Sequence, residues 1–299
     1  MTSRVDSHHH IWDLSVRDQA WLDGEPFTPI RRTFTVDDLA PLARATNVDA
    51  TVLVQTVAVP EETPELLRAA VDHDLVAAVT GWVDLTSPSV ADDLAALRSC
   101  IGGAYLRAIR HSVQDEPDPD WLDRPDVRRG LRAVAEAGLG YELLVRPPQL
   151  PAALRVVAEV EQVEFVLDHC AKPYVAAGVL EPWATQVRQL ATHANITCKL
   201  SGLVTEAHWD RWGPRTLRPY VDVVVEAFGP QRLMFGSDWP VCLLAGSYGR
   251  WVETVDELIA PLAEDERTAI TGGTARRFYG IPEGGADADR RAAYPAQGR

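Results

Sequence analysis

The stretch "RVDSHHHIWD", from Arg4 to Asp13, contains three consecutive histidines close to the start of the sequence. The run is flanked by apolar residues, which favours a folded β-strand over a flexible polar tag. Because side chains along a strand alternate between its two faces, His8 and His10 point to one face and His9 to the other. Two imidazoles that flank one residue can chelate a single metal ion. The stretch therefore predicts a first strand that ends in a candidate metal site.

Short β-branched runs recur along the whole sequence and alternate with segments rich in Ala, Leu, Arg and Glu. Most of these runs are continuously apolar, which is typical of parallel strands covered on both faces. Several helical segments begin with proline, which favours the first turn of a helix. The predicted strands are Arg4–Ile11, Ala50–Val57, Val76–Val83, Ala104–His111, Gly140–Val145, Glu164–Cys170, Ile196–Ser201 and Arg232–Asp238. The predicted helices include Pro60–Asp74, Val90–Cys100, Asp126–Ala137, Pro151–Glu161 and Pro182–His193.

A strand followed by a helix, repeated eight times, predicts an α/β fold of the (β/α)8 TIM-barrel type. The alternative is an open, doubly wound sheet, which usually carries a glycine-rich phosphate loop after its first strand. Here the first strand ends in "HHHIWD", without a glycine, and this favours the closed barrel. No linker-like stretch divides the middle of the 299 residues, so we expect a single barrel over residues 1–281. The Gly-, Ala- and charge-rich residues 282–299 are predicted to form a disordered tail.

The composition narrows the classes of partner. A formal net charge of −14 repels phosphate backbones, so we expect no nucleic acid partner. No apolar run approaches the ~18 residues of a membrane span, and the sequence begins without a hydrophobic signal core, so we expect no membrane association. The four cysteines are scattered and form no CxxC pair, which suits free thiols in a reducing cytoplasm. Homo-oligomerisation is left open by the sequence.

Polar residues lie at the ends of the predicted strands, which is where TIM-barrel enzymes carry their reactive side chains. Burying so many polar groups costs several kcal/mol unless they satisfy each other or a ligand. Each has a structural alternative as well: the histidines could be satisfied core residues, Glu142 could pair with Arg110, and Lys199 could extend its amine to solvent. The polar strand-end residues are His8, His10, Arg110, His111, Glu142, Asp168, His169, Lys199, Ser201 and Asp238.

Five motifs, in this order and spanning residues 4 to 281, resemble those of the amidohydrolase superfamily. They are "DSHHHIWD", "RHSVQDEPD", "FVLDHCAKP", "CKLSGLVTEAHW" and "MFGSDWPVC". The similarity is greatest to the amidohydrolase-2 branch, which includes L-fuconolactonase-like and L-rhamnonolactonase-like sugar lactonases. The resemblance implies a distorted TIM barrel with an active site at the carboxyl ends of the strands.

The resemblance also implies a set of metal ligands, namely His8, His10, His169 and Asp238. Many superfamily members with two metals use a carboxylated lysine or a glutamate to bridge the ions. Here strand 4 offers Arg110 and His111 and strand 5 offers Glu142, so the resemblance implies one divalent ion, with zinc favoured, and leaves metal-independent catalysis open.

The implied activity is hydrolysis of a sugar lactone, an aldono-1,4- or 1,5-lactone similar to L-fuconolactone, by a water that Asp238 activates. His169 is the second implied catalytic residue. A decarboxylase of the same superfamily, a pyrone- or muconolactone-type lactonase, an amide hydrolase and a non-catalytic binding protein are the alternatives. The residues expected to bind the substrate are Arg110, His111, Glu142, Lys199, Trp12, Trp82 and Trp239.

Overall fold

The structure, a computed structural model, describes residues 4–283 and contains eight parallel strands in one sheet. The strands are hydrogen-bonded in sequence order, so successive strands are also neighbours in space. A parallel bridge between His9 and Trp239 joins the last strand to the first, and the Asp238 N–H donates to the His8 carbonyl at 2.8 Å. The predicted TIM barrel is confirmed. The strands are β1 Arg4–His9, β2 Val48–Val54, β3 Val76–Gly81, β4 Leu106–His111, β5 Gly140–Leu143, β6 Phe165–Leu167, β7 Ile196–Leu200 and β8 Leu233–Phe235.

Helices follow the strands, and each helix that the sequence predicts is found with both ends within two residues of their predicted positions. The helices are α1 Val36–Ala45, α2 Glu62–Asp72, α3 Val90–Ser99, α4 Pro125–Glu136, α5 Leu150–Glu159, α6 Trp183–Ala191, α7 Pro214–Phe228, α8 Tyr248–Ile259, α9 Glu264–Thr268 and α10 Thr274–Tyr279. Local chemistry fixes several of their starts. Thr35 and Asp38 form a reciprocal capping box at α1, and proline occupies the first turn of α4, α5 and α7.

The apolar core has two layers. Larger side chains fill the space between the strands and the surrounding helices, whereas the barrel interior holds mainly small residues such as Val52, Ala78 and Ala108. Tyr279 of α10 is fully buried in the interior cluster, so the last helix closes the amino-terminal end of the barrel. The opposite end, where the strands finish, is left for the polar residues of the site.

All eight strands are shorter than predicted, and in β6 and β8 the shortening at the carboxyl end leaves a predicted site residue outside the strand. The predicted strand 6 continues to Cys170, but β6 ends at Leu167 because His169 and Cys170 adopt left-handed φ angles of 51° and 53°. The predicted strand 8 continues to Asp238, whose φ of 56° is equally incompatible with a strand. The candidate site residues His169 and Asp238 therefore follow their strands instead of belonging to them.

The remaining expectations for the chain have different outcomes. All four cysteines are free thiols, as expected. Within residues 4–283 no helix combines the length and the apolar character that a membrane crossing requires. Most of the predicted tail, residues 284–299, lies outside the described residues, and the division of the chain at residue 281 stays a prediction.

Gly130 in the middle of α4 is required by a close approach to the loop after β3. A Cβ built there would lie 2.3 Å from the carbonyl oxygen of Leu85, a backbone atom that cannot move alone. We expect Gly130→Ala to lower the free energy of unfolding by about 1–3 kcal/mol despite the better helix propensity of alanine. Gly249→Ala in α8, where the added methyl meets nothing within 4 Å, is the matched control and should not destabilise. Urea unfolding of both variants provides the measurement, and equal effects would contradict the packing argument.

Candidate active site

Three imidazoles and one carboxylate converge where β1, β6 and β8 end. The Nε2 atoms of His8 and His10 lie 3.2 Å apart. The Asp238 Oδ1 atom lies 3.4 Å from His10 Nε2 and 3.9 Å from the Nε2 atoms of both His8 and His169. All four side chains are buried. The residues that the sequence predicted as metal ligands are thus brought together around one point.

The backbone positions two of these side chains in a sparsely populated conformation. His169 and Asp238 both have positive φ angles, which non-glycine residues rarely adopt and which cluster at functional sites. Gly202, itself at a φ of 65°, packs directly behind His169, because a Cβ there would approach the ring to 2.6 Å. This glycine therefore makes room for the imidazole in its functional position.

Hydrogen bonds from outside the cluster set the orientation of two rings. The Nδ1 of His10 lies 2.8 Å from the Val54 carbonyl, and a carbonyl can only accept, so the proton of this ring is on Nδ1. The Nδ1 of His169 lies 2.8 Å from Ser201 Oγ. In His10 the Nε2 lone pair therefore faces the cluster, as in ligating histidines whose second nitrogen is held by an outer partner.

Burial determines the charge of the cluster. Burial lowers the pKa of His169 to about 4, against the opposing charge of Asp238. Burial and the charge of Lys199 lower the pKa of His8 well below its ordinary value. Burial alone would raise the pKa of Asp238, but its interactions with His169 and His10 outweigh this and hold the pKa below its ordinary value. At neutral pH an ionised carboxylate therefore faces neutral imidazoles of His8 and His169.

A network of buried charges lies directly beneath the cluster. Lys199 Nζ lies 2.6 Å from Glu142 Oε2, 3.1 Å from Asp168 Oδ1 and 3.1 Å from His8 Nδ1. Arg110 donates to Asp168 Oδ2 at 3.1 Å and also lies 3.2 Å from His8 Nε2. Two cations and two carboxylates thus neutralise each other and surround the His8 ring.

His8, His10 and Asp238 can hold one metal ion, because their ligand atoms lie within 4.8 Å of one another. A tetrahedral zinc site with bonds of about 2.0–2.1 Å separates its ligand atoms by roughly 3.3 Å. The distances from His10 Nε2 to His8 Nε2 and to Asp238 Oδ1, 3.2 and 3.4 Å, match this spacing, whereas the 3.9 Å from Asp238 Oδ1 to the Nε2 atoms of His8 and His169 exceeds it. Ligation by His8 Nε2 requires the proton of that ring to be on Nδ1. Asp168 Oδ1 is 3.5 Å from this nitrogen and, although ion-paired with Lys199, accepts no hydrogen bond among residues 4–283. Lys199 Nζ, which can only donate, lies closer to the same nitrogen at 3.1 Å, so ligation by His8 would require Asp168 to replace Lys199 as the partner of Nδ1.

A cavity of about 670 Å³ opens above the cluster. Its floor includes His10, His169, Asp238 and Arg110. The loops after β4, β5 and β6 supply mainly polar and charged wall residues, which include His111, Glu116, Arg146 and Lys172. The loops after β7, β8 and β1 supply mainly apolar ones, which include Trp209, Val241, Leu244, Trp21 and Phe27. One half of the cavity is therefore polar and the other half apolar.

Two of the residues predicted to bind substrate line this cavity, and two others do not. Arg110 and His111 belong to its surface. Glu142 and Lys199 are fully buried below it, where they pair with each other and where Glu142 also accepts from Thr80. The prediction of substrate contact is therefore corrected for Glu142 and Lys199, because they are satisfied by the protein and support the floor.

The three predicted tryptophans are also corrected, because none of them lines the cavity. Trp12 is buried and packs edge-to-face behind Trp21, and its indole donates to the Arg32 carbonyl. Trp239 is buried against Phe34. Trp82 is half-buried and donates to His111 Nδ1 at 3.0 Å. Each packs beside the site and fixes a neighbouring residue.

The sequence reasoning missed the aromatic and charged residues of the loops. Trp21 and Phe27 lie in the short 3-10 helices Ala20–Leu22 and Glu25–Ile30 between β1 and α1. Trp209 and Glu206 follow β7, where no strand pattern indicates the direction of a side chain. Lys172 lies in the motif "FVLDHCAKP" but beyond the predicted strand end, where the strand pattern gives no direction for its side chain. Loop residues need coordinates to be assigned to a cavity.

The sequence profile of the family described as Amidohydrolase matches residues 5–281. The chain belongs to the amidohydrolase family. A protein of Burkholderia ambifaria named L-fucono-1,5-lactonase is 39% identical over 292 residues, which cover 94% of this chain and 97% of that protein. A protein of the same name from Burkholderia multivorans is 40% identical, with 94% and 97% covered. These matches confirm the family inferred from the motifs.

A solved structure supports the same assignment to the amidohydrolases. A crystal structure of an amidohydrolase from Burkholderia multivorans with bound zinc has a TM-score of 0.88 to this chain at 39% identity. The alignment covers 94% of this chain and all of the other. This amidohydrolase chain therefore shares its complete barrel with a protein in which zinc is bound.

The Glu142–Lys199 pair provides a test of the buried network. We expect Glu142→Gln or Lys199→Met alone to lower the free energy of unfolding by about 3–5 kcal/mol, because each leaves a buried charge without its partner. The double variant should be less destabilised than the sum, with an interaction energy of about 1–3 kcal/mol.

Urea unfolding of the four proteins completes this double-mutant cycle. Glu226→Gln, which breaks the exposed pair with Arg188, is the control and should change stability by less than about 1 kcal/mol. Simple additivity of the two buried substitutions would contradict the coupling.

Proposed function

We propose that this protein hydrolyses a sugar lactone, with L-fucono-1,5-lactone as the first candidate substrate. The observation that carries the proposal is the ionised Asp238 beside neutral imidazoles, on the floor of a cavity with one polar and one apolar half. The two Burkholderia relatives named L-fucono-1,5-lactonase, each covered over 97% of its length, support the same substrate class.

The charges of the cavity favour a neutral substrate over an acidic one. Three cationic side chains line it, and they are offset by four carboxylates when Asp238 is included. A dicarboxylate would require a net positive wall, whereas hydroxyl groups bind well to mixed donors and acceptors. We therefore prefer a sugar lactone to the pyrone- or muconolactone-type alternative. The cationic residues are Arg110, Arg146 and Lys172, and the wall carboxylates are Asp115, Glu116 and Glu206.

Asp238 is the proposed general base. Its Oδ1 faces the imidazoles, and we assign proton transfer to Oδ2. The carboxylate takes a proton from a water whose oxygen forms a bond to the lactone carbonyl carbon. The bond from that carbon to the ring oxygen then breaks, and Asp238 returns the proton to the departing oxygen. The sum is the addition of one water to give the open-chain acid, and the carboxylate is regenerated.

The other floor residues have supporting roles in this proposal. Arg110 presents a buried guanidinium that can stabilise the negative charge developing on the carbonyl oxygen. His169, neutral at working pH, lies beside the base with its Nε2 3.9 Å from Asp238 Oδ1. A site with neutral imidazoles and a single base suits the hydrolysis of an ester better than that of an amide. The reason is that the alkoxide of an ester leaves more readily than an amide nitrogen.

We further propose that the site holds one zinc ion through His8, His10, His169 and Asp238. Such an ion, when bound, polarises a carbonyl group and lowers the pKa of a coordinated water. The zinc-containing Burkholderia multivorans amidohydrolase supports this choice of metal.

Asp238→Asn is the decisive variant for the proposed activity. It keeps the size of the side chain but removes the base, and we expect kcat for L-fucono-1,5-lactone to fall by about 10²–10⁴-fold. The rate of acid release, followed with a pH indicator and corrected for spontaneous hydrolysis, is the measurement. Asp265→Asn, on the exposed surface of α9, is the control and should keep wild-type turnover. Turnover of an amide or an aromatic acid, with none of any lactone, would sink the proposal.

Metal binding can be tested separately from activity. After dialysis against a chelator, we expect the wild-type chain to bind one equivalent of zinc in a competition titration with a coloured indicator. His10→Ala should weaken this binding by more than about 100-fold, because it removes a ligand that Val54 orients. His208→Ala, at an exposed loop position, should bind zinc normally. Equal zinc affinity of the wild type and the His10 variant would remove His10 from the ligand set.

A further inference from the structure

We propose that Glu116 selects hydroxylated lactones, and that His111 and Trp82 position it for this task. The inference rests on the proposed function and names the part of the cavity that recognises the sugar. Glu116 follows the short helical turn Val113–Asp115 after β4 and lines the cavity together with His111. Neither Glu116 nor Trp82 contacts the floor cluster through any hydrogen bond in residues 4–283.

A chain of hydrogen bonds with a fixed direction runs from Trp82 to Glu116. The Trp82 indole N–H donates to His111 Nδ1 at 3.0 Å. Because an indole nitrogen can only donate, His111 Nδ1 must carry a lone pair, and the ring proton must be on Nε2. That nitrogen lies 2.7 Å from Glu116 Oε1 and therefore donates to it. Trp82 thus fixes His111 as a neutral donor, and His111 fixes one oxygen of the carboxylate.

The imidazole in this chain has little freedom to move. His111 stacks on Trp121 with ring centroids 4.3 Å apart and an angle of 10° between the planes. The Glu116 side chain remains 26% exposed, and its second oxygen, Oε2, makes no hydrogen bond within residues 4–283. A rigidly held carboxylate therefore presents open acceptor sites to the cavity.

The chemistry of a lactone determines what such a carboxylate can recognise. The reacting carbonyl and the ring oxygen of a lactone are acceptors and cannot pair with an ionised carboxylate, which only accepts. Hydroxyl groups on the ring are donors and can form hydrogen bonds to the carboxylate. Glu116 lies on the polar half of the cavity, opposite the apolar loops that carry Trp21 and Leu244. Binding to Glu116 therefore turns the hydroxylated edge of the ring toward β4.

The test compares two six-membered lactones that differ in their hydroxyl groups. L-Fucono-1,5-lactone carries ring hydroxyls, and δ-valerolactone carries none. For Glu116→Gln we expect kcat/KM on the fuconolactone to fall by about 10–100-fold, mainly through KM, as for the loss of a hydrogen bond to a charged group. The value for δ-valerolactone should stay within about twofold of wild type.

Trp82→Phe tests the positioning role. It keeps an aromatic ring but removes the donor that fixes His111, so we expect a loss of about 3–10-fold on the fuconolactone only, since one neutral hydrogen bond is removed. A purely structural defect would lower the rates for both lactones together, so the ratio of the two separates the explanations. Asp118→Asn, an exposed residue of the same loop that does not line the cavity, is the control and should match wild type with both substrates.

Each outcome decides the proposal. Equal losses of Glu116→Gln on both lactones, or no loss on either, would overturn the role of Glu116 while leaving the proposed activity intact. An unchanged ratio in Trp82→Phe would overturn the positioning chain. Hydrolysis of neither lactone by the wild type would overturn the role of Glu116, and the absence of turnover on any lactone would overturn the proposed function as well.

Discussion

The site depends on the mutual neutralisation of Lys199, Arg110, Asp168 and Glu142 inside the barrel. Charges removed from water are tolerated only when they are paired and hydrogen-bonded. Here the partners come from β4 to β7, and Tyr279 of α10 adds a hydrogen bond to Glu142 from below. Because Lys199, Asp168 and Arg110 also contact His8, the same network that ties the strands together orients a ring of the reactive cluster. Fold and chemistry therefore share one set of contacts.

This rigid support explains how strained backbone can persist above it. Left-handed φ angles at non-glycine residues cost of order 1–3 kcal/mol each and survive only where the surroundings over-determine them. His169 is held between Ser201 and Gly202, and the Asp238 N–H is bound to the His8 carbonyl at the seam of the barrel. In this conformation His169 Nε2 lies 3.9 Å from Asp238 Oδ1, and the His169 ring packs beside His8. A relaxed extension of β6 and β8 would separate them.

The sequence was sufficient to predict the barrel and the convergence of the reactive cluster, because both follow from periodicity and from the rule that strands end at one face. It could not show how far each strand side chain reaches toward the cavity. Glu142 and Arg110 are paired in register on β5 and β4, yet Arg110 lines the cavity and Glu142 does not, since Lys199 and Thr80 satisfy Glu142 below. The orientation of side chains on loops could be predicted even less well from the sequence. Trp12 and Trp21 are similar in type and close in sequence, and only the packing of Trp12 behind Trp21 decides which ring faces the cavity.

The division between floor and wall has a consequence for specificity. The floor residues are fixed by the buried charges and by strand geometry, so a substitution there alters the chemistry for every substrate alike. The wall residues lie on loops that do not share this network, and their contacts are local, as in the chain from Trp82 through His111 to Glu116. Recognition can therefore change without disturbing the base or its imidazoles. For the proposed lactone hydrolysis, the choice of substrate is therefore separable from its turnover, because the two depend on different sets of hydrogen bonds.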